Sequence, residues 1–252
     1  MTTAERYVNL AAFALMILVN AMASLLPLNG RTTGEISDLY PVLITPSGYV
    51  FAIWGLIYLL LAGFVAYTFL RPEDPRLGGF HYLFALSCLL NSAWLFAWHW
   101  ENMSLALTLM LALLATLVFI YANVNYSERW GSLLAFWLLK LPFSIYLAWI
   151  SVATIVNVSV TLYAAGWTGW GISPAVWAAI MVLIATVLAL LAVDLRNDRA
   201  FALVIAWALT GVGASNADHL FVAVVAWGAA VGLLVFLGWQ IAGDNERRIV
   251  LR

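Results

Sequence analysis

The sequence predicts an all-α integral membrane protein, and three observations lead to that class. Hydrophobic residues make up 65% of the 252 residues, charged residues only 9%, and the mean hydropathy is +0.99. The apolar residues fall into runs of about 20, the length at which an α-helix crosses the hydrocarbon core of a bilayer. The basic residues cluster in every second connection between these runs. The lipid bilayer is therefore the predicted partner, and the net charge of −1 predicts no nucleic-acid partner.

Eight apolar runs are long enough to be predicted as membrane-spanning helices. They cover residues 7–28, 48–70, 80–100, 103–124, 139–163, 174–194, 200–217 and 220–242. The seventh is the shortest and contains Gly211 and Gly213. Residues 130–137 are predicted to form a further helix at the membrane surface, with the Lys140 ammonium reaching back to water.

The distribution of Lys and Arg tests the number of spans independently, because an error of one would scramble the alternation of sides. With eight spans, ten basic residues share the side of both termini, and Arg31 alone lies on the other. An excess of basic residues marks the cytoplasmic side, so we predict that both termini are cytoplasmic. The connection at residues 29–47, here called the lid loop, then faces outward. It is the longest external connection and is predicted to cover a site.

Polar and aromatic side chains collect on single faces of several predicted spans, at spacings of three, four, seven or eight residues. By the predicted orientation, all of these faces lie between the membrane midplane and the outer surface, beneath the lid loop. They comprise Asn20 in the first span, Trp54 and Tyr58 in the second, Asn91, Trp94 and Trp98 in the third, and Tyr146, Trp149, Ala153 and Asn157 in the fifth. Their common depth predicts an aromatic pocket that suits a large, flat, mostly apolar ligand with a polar edge.

Packing is the alternative explanation for each of these residues taken alone. Asn side chains commonly hydrogen-bond between transmembrane helices, and aromatic rings fill helix interfaces. His99, near the outer end of the third span, could ligate a haem iron or respond to pH, but an interfacial histidine is more often simply solvated. The agreement in depth favours a pocket for the set as a whole.

Three segments, TPSGYVFAIWGLIY, LLNSAWLFAWH and YLAWISVATIVN, resemble the second, third and fifth helices of the TspO/MBR family, the tryptophan-rich sensory or translocator proteins. The resemblance covers about residues 7–163. Pro46 corresponds to a proline that precedes the family's second helix, and His99 stands where the third helix of the family has a second aromatic residue. In the fifth helix, Tyr146, Trp149, Ala153 and Asn157 match with identical spacing.

The resemblance implies a five-helix bundle that binds a porphyrin, such as protoporphyrin IX or a haem-like molecule, and it adds Pro46 to the predicted ligand-binding residues. The function inferred from it is a membrane receptor or sensor in the bacterial plasma membrane. A permease for a lipophilic substrate and a membrane enzyme that promotes porphyrin breakdown are the alternatives. Bacterial members are associated with light-dependent breakdown that involves pocket tryptophans, which by position would be Trp54 and Trp149. No catalytic residue, metal site or obligatory cofactor is predicted.

A change in composition after Tyr163 divides the chain. Asn, Trp and Tyr are frequent before it, whereas Ala, Val, Leu and Gly predominate after it. We therefore predict a ligand-binding, TspO-like bundle at residues 1–166 and a three-helix transmembrane extension with a short cytoplasmic tail at residues 167–252. Gly228 and Gly232 lie four residues apart on the eighth span. They would permit close helix packing within the bundle or between the copies of a homo-oligomer.

Overall fold

The computed structural model of the protein describes residues 1–26, 28–123 and 132–250, which form α-helices joined by short turns. The helices are α1 (Thr3–Leu25), α2 (Thr33–Asp38), α3 (Ile53–Leu70), α4 (Leu83–His99), α5 (Met103–Asn123), α6 (Leu133–Ala135), α7 (Leu141–Ala164), α8 (Pro174–Arg196), α9 (Arg199–Ser215) and α10 (Leu220–Val250). A 3₁₀ turn, Gly48–Ala52, leads into α3, and a π-helical stretch, Phe136–Lys140, leads into α7. The predicted all-α class is confirmed.

Six helical segments of the described chain are long and apolar enough to cross a membrane. They are Thr3–Gly30, Gly48–Leu70, Met103–Asn123, Leu133–Ala164, Pro174–Arg196 and Leu220–Gly243. The predicted third and seventh spans correspond to α4 and α9, which are apolar but have only 17 residues each. At 1.5 Å per residue such a helix is about 26 Å long, a little shorter than the hydrocarbon core of about 30 Å. The protein is therefore a multi-pass membrane protein.

Local hydrogen bonds explain where the structure departs from the predicted boundaries. The first helix begins at Thr3 rather than at residue 7, because Thr2 and Glu5 form a capping box: the Thr2 hydroxyl accepts from the Glu5 amide, and the Glu5 carboxylate accepts from the Thr2 amide. Residues 130 and 131 of the predicted surface helix lie outside the described residues. Its remaining part runs through α6 and the π-helical stretch directly into α7, rather than forming a separate helix.

Five helices pack around one another in the first two thirds of the chain. Helix α4 packs between α1 and α5, α5 packs on α7, and α3 closes the group against α1 and α7. Helices α8, α9 and α10 contact each other pairwise, and α9 also packs along α7. The predicted division at residue 166 stays a prediction, and the two groups share an interface.

An aromatic cluster fills one end of the five-helix group, where α3 ends and where α4 and α7 begin. The Phe64 ring lies 4.7 Å from Phe80, 4.9 Å from Phe84 and 4.9 Å from Phe143, measured between ring centroids. All four side chains are fully buried. This cluster closes the space between the helices at the end that also holds the N-terminus, whose ammonium donates to the Pro72 carbonyl.

Asp198 joins α9 to the five-helix group at the same end. Its carboxylate accepts hydrogen bonds from the Ser144 hydroxyl of α7 at 2.6 Å and from the Tyr121 hydroxyl of α5 at 2.9 Å, and it caps α9 by accepting from the Phe201 amide. Asp198 is only 2% exposed. A buried carboxylate is costly unless it is hydrogen-bonded, so these three donors hold the start of α9 in place.

Candidate functional site

A cavity of about 480 Å³ opens at the other end of the five-helix group, between α1, α3, α4, α5 and α7 and beneath the lid loop. Its volume lies within the range of small-molecule pockets. Its described lining residues are Asn20, Ala23, Ser24, Thr32, Thr33, Gly34, Ser37, Asp38, Thr45, Pro46, Gly48, Phe51, Trp54, Tyr58, Trp94, Leu95, Trp98, Met110, Trp149, Val152, Ala153, Val156 and Asn157. All of them come from the first 157 residues.

Nine of the eleven predicted ligand-binding residues line this cavity: Asn20, Pro46, Trp54, Tyr58, Trp94, Trp98, Trp149, Ala153 and Asn157. The other two, Asn91 and Tyr146, lie behind its wall, with 1% and 0% exposure respectively. In this structure they lie one layer behind the residues that line the cavity. Their role as ligand contacts stays a prediction.

A chain of hydrogen bonds connects these two residues to the cavity wall. The Tyr58 hydroxyl donates to the Asn20 side-chain oxygen at 2.6 Å, Asn20 Nδ2 donates to Asn91 Oδ1 at 2.8 Å, and Asn91 Nδ2 donates to the Tyr146 hydroxyl at 3.3 Å. The chain crosses four helices, α3, α1, α4 and α7. Buried polar groups that satisfy one another in this way fix the side chains that carry them. The orientation of Tyr58 in the cavity is thus set from three neighbouring helices.

Indole and phenol rings form two stacked pairs in the cavity wall. Trp54 stacks on Tyr58 one turn along α3, with centroids 5.4 Å apart, and Trp94 stacks on Trp98 one turn along α4, at 5.6 Å. Trp149 of α7 meets Trp54 edge to face at 6.3 Å. The (i, i+4) spacing that predicted shared faces therefore produces ring pairs directed at one space.

Further contacts of the Trp94 and Trp98 indoles hold this wall together. The Trp94 indole N–H donates to Asn157 Oδ1 of α7 at 3.0 Å, and the Trp98 N–H donates to the Thr33 carbonyl of the lid loop at 3.2 Å. Because both donors are occupied, these two indoles offer an incoming ligand their ring faces rather than their N–H groups.

His99 is a residue for which the expectation of a solvated side chain was wrong. It is 1% exposed. One ring nitrogen lies 3.0 Å from the Thr33 hydroxyl and the other 3.0 Å from the Leu28 carbonyl, while the His99 carbonyl accepts from Asn29 Nδ2. The imidazole therefore links Leu28 and Thr33, on either side of the start of the lid loop, to α4. Because both ring nitrogens already have hydrogen-bond partners, neither is free to ligate a metal.

Two polar atoms of the cavity lining are buried and lack a hydrogen-bond partner among the described residues. They are the indole nitrogen of Trp149 and the hydroxyl oxygen of Thr45. Native structures satisfy nearly all buried polar groups, so each exception calls for an explanation. Trp149 lies in α7 and Thr45 in the lid loop; both residues line the cavity, but these two atoms are shielded from it.

Charge is concentrated at the rim. Asp38, at the end of α2, is the charged residue among the described lining residues, and its side chain is exposed. Outside the lining, Arg31 of the lid loop pairs with Glu101 beyond α4 at 2.7 Å. The cavity mouth therefore presents a carboxylate without a lining cation to balance it.

Sequence reasoning missed the residues contributed by α2. A capping box starts this short helix, in which the Thr32 hydroxyl accepts from the Glu35 amide and the Glu35 carboxylate accepts from the Thr32 amide. The Thr-x-x-Glu spacing was a readable signal. Hydrogen bonds from Thr32 lower the pKa of the Glu35 carboxyl below its usual value. Helix α2 places Gly34, Ser37 and Asp38 on the cavity.

A second cavity, of about 290 Å³, lies on the far side of the lid loop. It is bounded by residues 41–44, the end of α7, the turn before α8 and the start of α8. Its lining is mainly apolar, and the Trp177 indole N–H is already used by the Gly169 carbonyl at 2.9 Å. The lid loop thus separates two spaces.

No group of three or more His, Cys, Asp or Glu side chains lies close enough to hold a metal ion in the part of the chain that the structure describes. The cavity lining offers hydroxyl, amide and indole groups together with ring faces. That set suits hydrogen bonding and stacking on an organic ligand.

Comparison with known proteins agrees with this architecture. No curated protein and no solved structure matches the chain. A family model described as TSPO-like protein matches residues 6–239, which includes α8, α9 and most of α10 as well as the residues on which the resemblance of the sequence rests. Because that match covers most of the 252 residues, the chain belongs to the TSPO-like protein family.

Proposed function

We propose that this protein is a membrane receptor or sensor that binds a large, flat, mostly apolar ligand of the porphyrin type in the 480 Å³ cavity. The observation that carries the proposal is the convergence of two stacked ring pairs and the Trp149 indole on one cavity. Such a ligand would stack its faces on the indole and phenol rings, and its polar edge would meet the hydroxyl and amide groups of the lining. Family membership supports the sensor or binding class of function.

Transport is the weaker candidate. A permease needs a path from the cavity to the opposite face of the membrane. Below the cavity lie the hydrogen-bonded side chains of Asn91 and Tyr146, and below those the close-packed rings around Phe64. Because protein interiors of this density do not deform continuously, the cavity is better suited to holding a ligand than to passing it on.

The topology proposed with this function has eight spans, with both termini in the cytoplasm of a bacterial cell. It is supported by the ten-to-one distribution of basic residues and by eight apolar helices that alternate in direction. Reporter fusions after residues 38, 101, 170 and 218 should report the outside, and fusions after residues 74, 197 and 252 the cytoplasm. If the fusions after residues 218 and 252 report the same side, α10 does not cross the membrane and the proposed eighth span is wrong.

The binding test is a titration of purified protein with protoporphyrin IX, followed by quenching of tryptophan fluorescence. Trp54→Ala combined with Trp149→Ala should weaken binding at least tenfold, because it removes ring faces from two helices. Trp149→Phe keeps an aromatic ring at this position and should weaken binding less than the double variant does. Trp239→Phe, at a position 71% exposed on α10, is the matched control. Equal affinity of all four proteins would refute the proposal.

The charge at the rim sharpens the choice of ligand. Protoporphyrin IX carries two carboxylates, which the Asp38 carboxylate repels. Its neutral dimethyl ester should therefore bind at least as tightly as the free acid. Asp38→Asn should raise the affinity for the acid and leave that for the ester unchanged. If the acid binds more tightly than the ester to the unmodified protein, the carboxylates are recognised elsewhere and this view of the rim is wrong.

A further inference from the structure

At the open end of the molecule, the end of the lid loop and the turn that follows it connect the two helix groups. Residues 43–50, here called the docked segment, run along the last turns of α9. The Ser47 amide and hydroxyl both donate to the Gly211 carbonyl, at 3.1 and 3.2 Å. The Ser215 hydroxyl donates to the Thr45 carbonyl at 2.7 Å. These bonds join residues more than 160 positions apart in the chain.

Two more side chains extend this contact in both directions. Asn216 Nδ2 donates to the Leu43 carbonyl at 2.7 Å, and the Trp207 indole N–H donates to the Val50 carbonyl at 3.2 Å. Asn216 is only 3% exposed, so it is committed to this role rather than to solvent. Most of the groups bound on the docked segment belong to its backbone. Helix α9 therefore fixes the path of the segment.

Gly211 is what lets the docked segment lie so close. A Cβ atom at this position would collide with the Val50 side chain and would lie 3.1 Å from Pro46 Cβ. Val50 is fully buried and Pro46 is buried as well, so neither side chain has room to withdraw. Gly228 on α10 provides a contrast, because a Cβ there would meet nothing within 4 Å.

The docked segment is also part of the wall of the candidate site. Thr45, Pro46 and Gly48 line the main cavity, while Leu43 and Ile44 line the second cavity on the other side. A displacement of the segment would change both spaces at once. The geometry points to a role for the last three helices: α9 is a clamp that holds the cover of the ligand cavity in place, with Gly211, Ser215 and Asn216 as its positioning residues.

The consequence for ligand exchange rests on the proposed function, whereas the clamp itself is tested without a ligand. Hydrogen exchange followed by mass spectrometry on peptides covering residues 43–50 reports the Ser47 amide, which donates to Gly211. Gly211→Ala should speed this exchange by pushing the segment away. Ser215→Ala with Asn216→Ala should speed it without adding an atom, by about two- to tenfold for the loss of hydrogen bonds of ordinary strength. If Gly211→Ala fails to fold, the double variant still tests the clamp.

Two glycine variants separate a clamp from a general loss of stability. Gly228→Ala faces open space and should leave exchange unchanged. Gly213→Ala would place a Cβ against Trp227 of α10, so it should lower the thermal midpoint while the exchange of residues 43–50 stays close to that of the parent protein. Exchange that is unchanged in both clamp variants, or raised equally by Gly213→Ala, overturns the proposal.

A ligand arm then connects the clamp to the site. The dissociation rate of protoporphyrin IX dimethyl ester should rise in the Gly211→Ala protein and in the Ser215→Ala with Asn216→Ala protein, and should be unaltered in the Gly228→Ala protein. If the unmodified protein binds no porphyrin but hydrogen exchange at residues 43–50 responds as expected, the clamp is supported and the proposed ligand is refuted. If the ester binds but neither its dissociation rate nor the hydrogen exchange changes in the clamp variants, the clamp is refuted and the proposed ligand is not.

Discussion

The five-helix group and the group formed by α8, α9 and α10 bury side chains of different size. The largest fully buried side chains, among them Phe64, Phe143 and Tyr146, belong to the first group. Between α8, α9 and α10 the buried side chains are mainly Ala and Val, such as Ala189 and Ala226. Both groups are built from apolar helices, so the difference lies in the size of the side chains that fill the space between them.

This difference has a physical basis in the bilayer. Lipid tails are as apolar as leucine, so helices associate there through packing and hydrogen bonds rather than through a hydrophobic driving force. Small residues let helix backbones come close and leave little space between them. Large rings hold helices apart, fill most of the space at one end of the five-helix group, and leave room for a cavity at the other. The two groups should therefore respond in opposite ways to a change of side-chain volume.

Truncation in the aromatic cluster should have the largest effect. Phe64→Ala removes a fully buried ring that contacts three other phenylalanines, and large-to-small changes of this kind cost about 3–5 kcal/mol. Reversible unfolding in mixed detergent and SDS measures the free energy of unfolding. Leu59→Ala, on the same helix at a position 70% exposed, is the control. A similar loss in both variants would show that the cost is not specific to the buried rings.

Enlargement should be the damaging change among the last three helices. Ala226 is fully buried on α10, so Ala226→Leu overpacks a close contact, at a cost of about 1–3 kcal/mol. Ala242→Leu makes the same addition at an exposed position of the same helix and should be nearly neutral. The same unfolding measurement applies. If Ala226→Leu is tolerated, these helices are less closely packed than their small residues indicate.

Loss of a hydrogen bond between helices of the five-helix group should lower the free energy of unfolding by a smaller amount than these changes of volume. Asn91→Leu keeps the approximate volume but breaks the chain from Tyr58 through Asn20 to Tyr146, and each bond lost should cost about 0.6–1.7 kcal/mol. Thr186→Ala removes a hydroxyl of α8 that bonds only within its own helix, to the Val182 carbonyl, and should change stability little. Equal effects would mean that the chain of side chains adds nothing beyond packing.

The smallest effect is the pH dependence of a loop at the closed end. Hydrogen bonds from the Arg76 side chain, and then from Tyr67 and the Arg76 amide, lower the pKa of the Asp74 carboxyl to about 2. Because the folded pKa is depressed, the stabilisation is complete above the ordinary value of about 3.9 and is lost as the pH falls from about 4 to about 2.

Asp74→Asn supplies the comparison for this pH effect, because its side chain cannot ionise. The difference in thermal midpoint between the parent protein and Asp74→Asn should be constant from pH 7 to about 4 and should shrink below that. Other acidic groups titrate in both proteins, so their contributions cancel in the difference. A difference that stays constant down to pH 2.5 would mean that the pKa of Asp74 is not set by these hydrogen bonds.

Much of the fold was predictable from the sequence, because the features that determine it are local. Every predicted apolar run contains a helix, and the spacing within α3, α4 and α7 was sufficient to predict seven residues that line the cavity. The misplaced start of α1 is also local: Glu5 and Arg6 argue against a membrane span but not against a helix. Length and hydropathy predict where a chain enters lipid, whereas capping predicts where a helix begins.

The contacts of the lid were not predictable in this way. Gly211 was noted only as part of the shortest predicted span, yet in the structure it provides the space for Val50. Asn216 and Leu43 are 173 positions apart, and no periodicity marks such a pair. The burial of His99 could not be predicted either. It depends on the path of the lid loop, and tertiary contacts determine that path.

The separation between the docked segment and α9 has a consequence for biogenesis. Ser47 is synthesised 164 residues before Gly211, a delay of roughly ten to thirty seconds at ordinary rates of elongation. During that interval the first five large helices can insert and pack, but the carbonyls of Leu43 and Thr45 have no partner from α9. The cover of the candidate cavity is therefore held by its hydrogen bonds to α4, without those to α9, until α9 has entered the membrane.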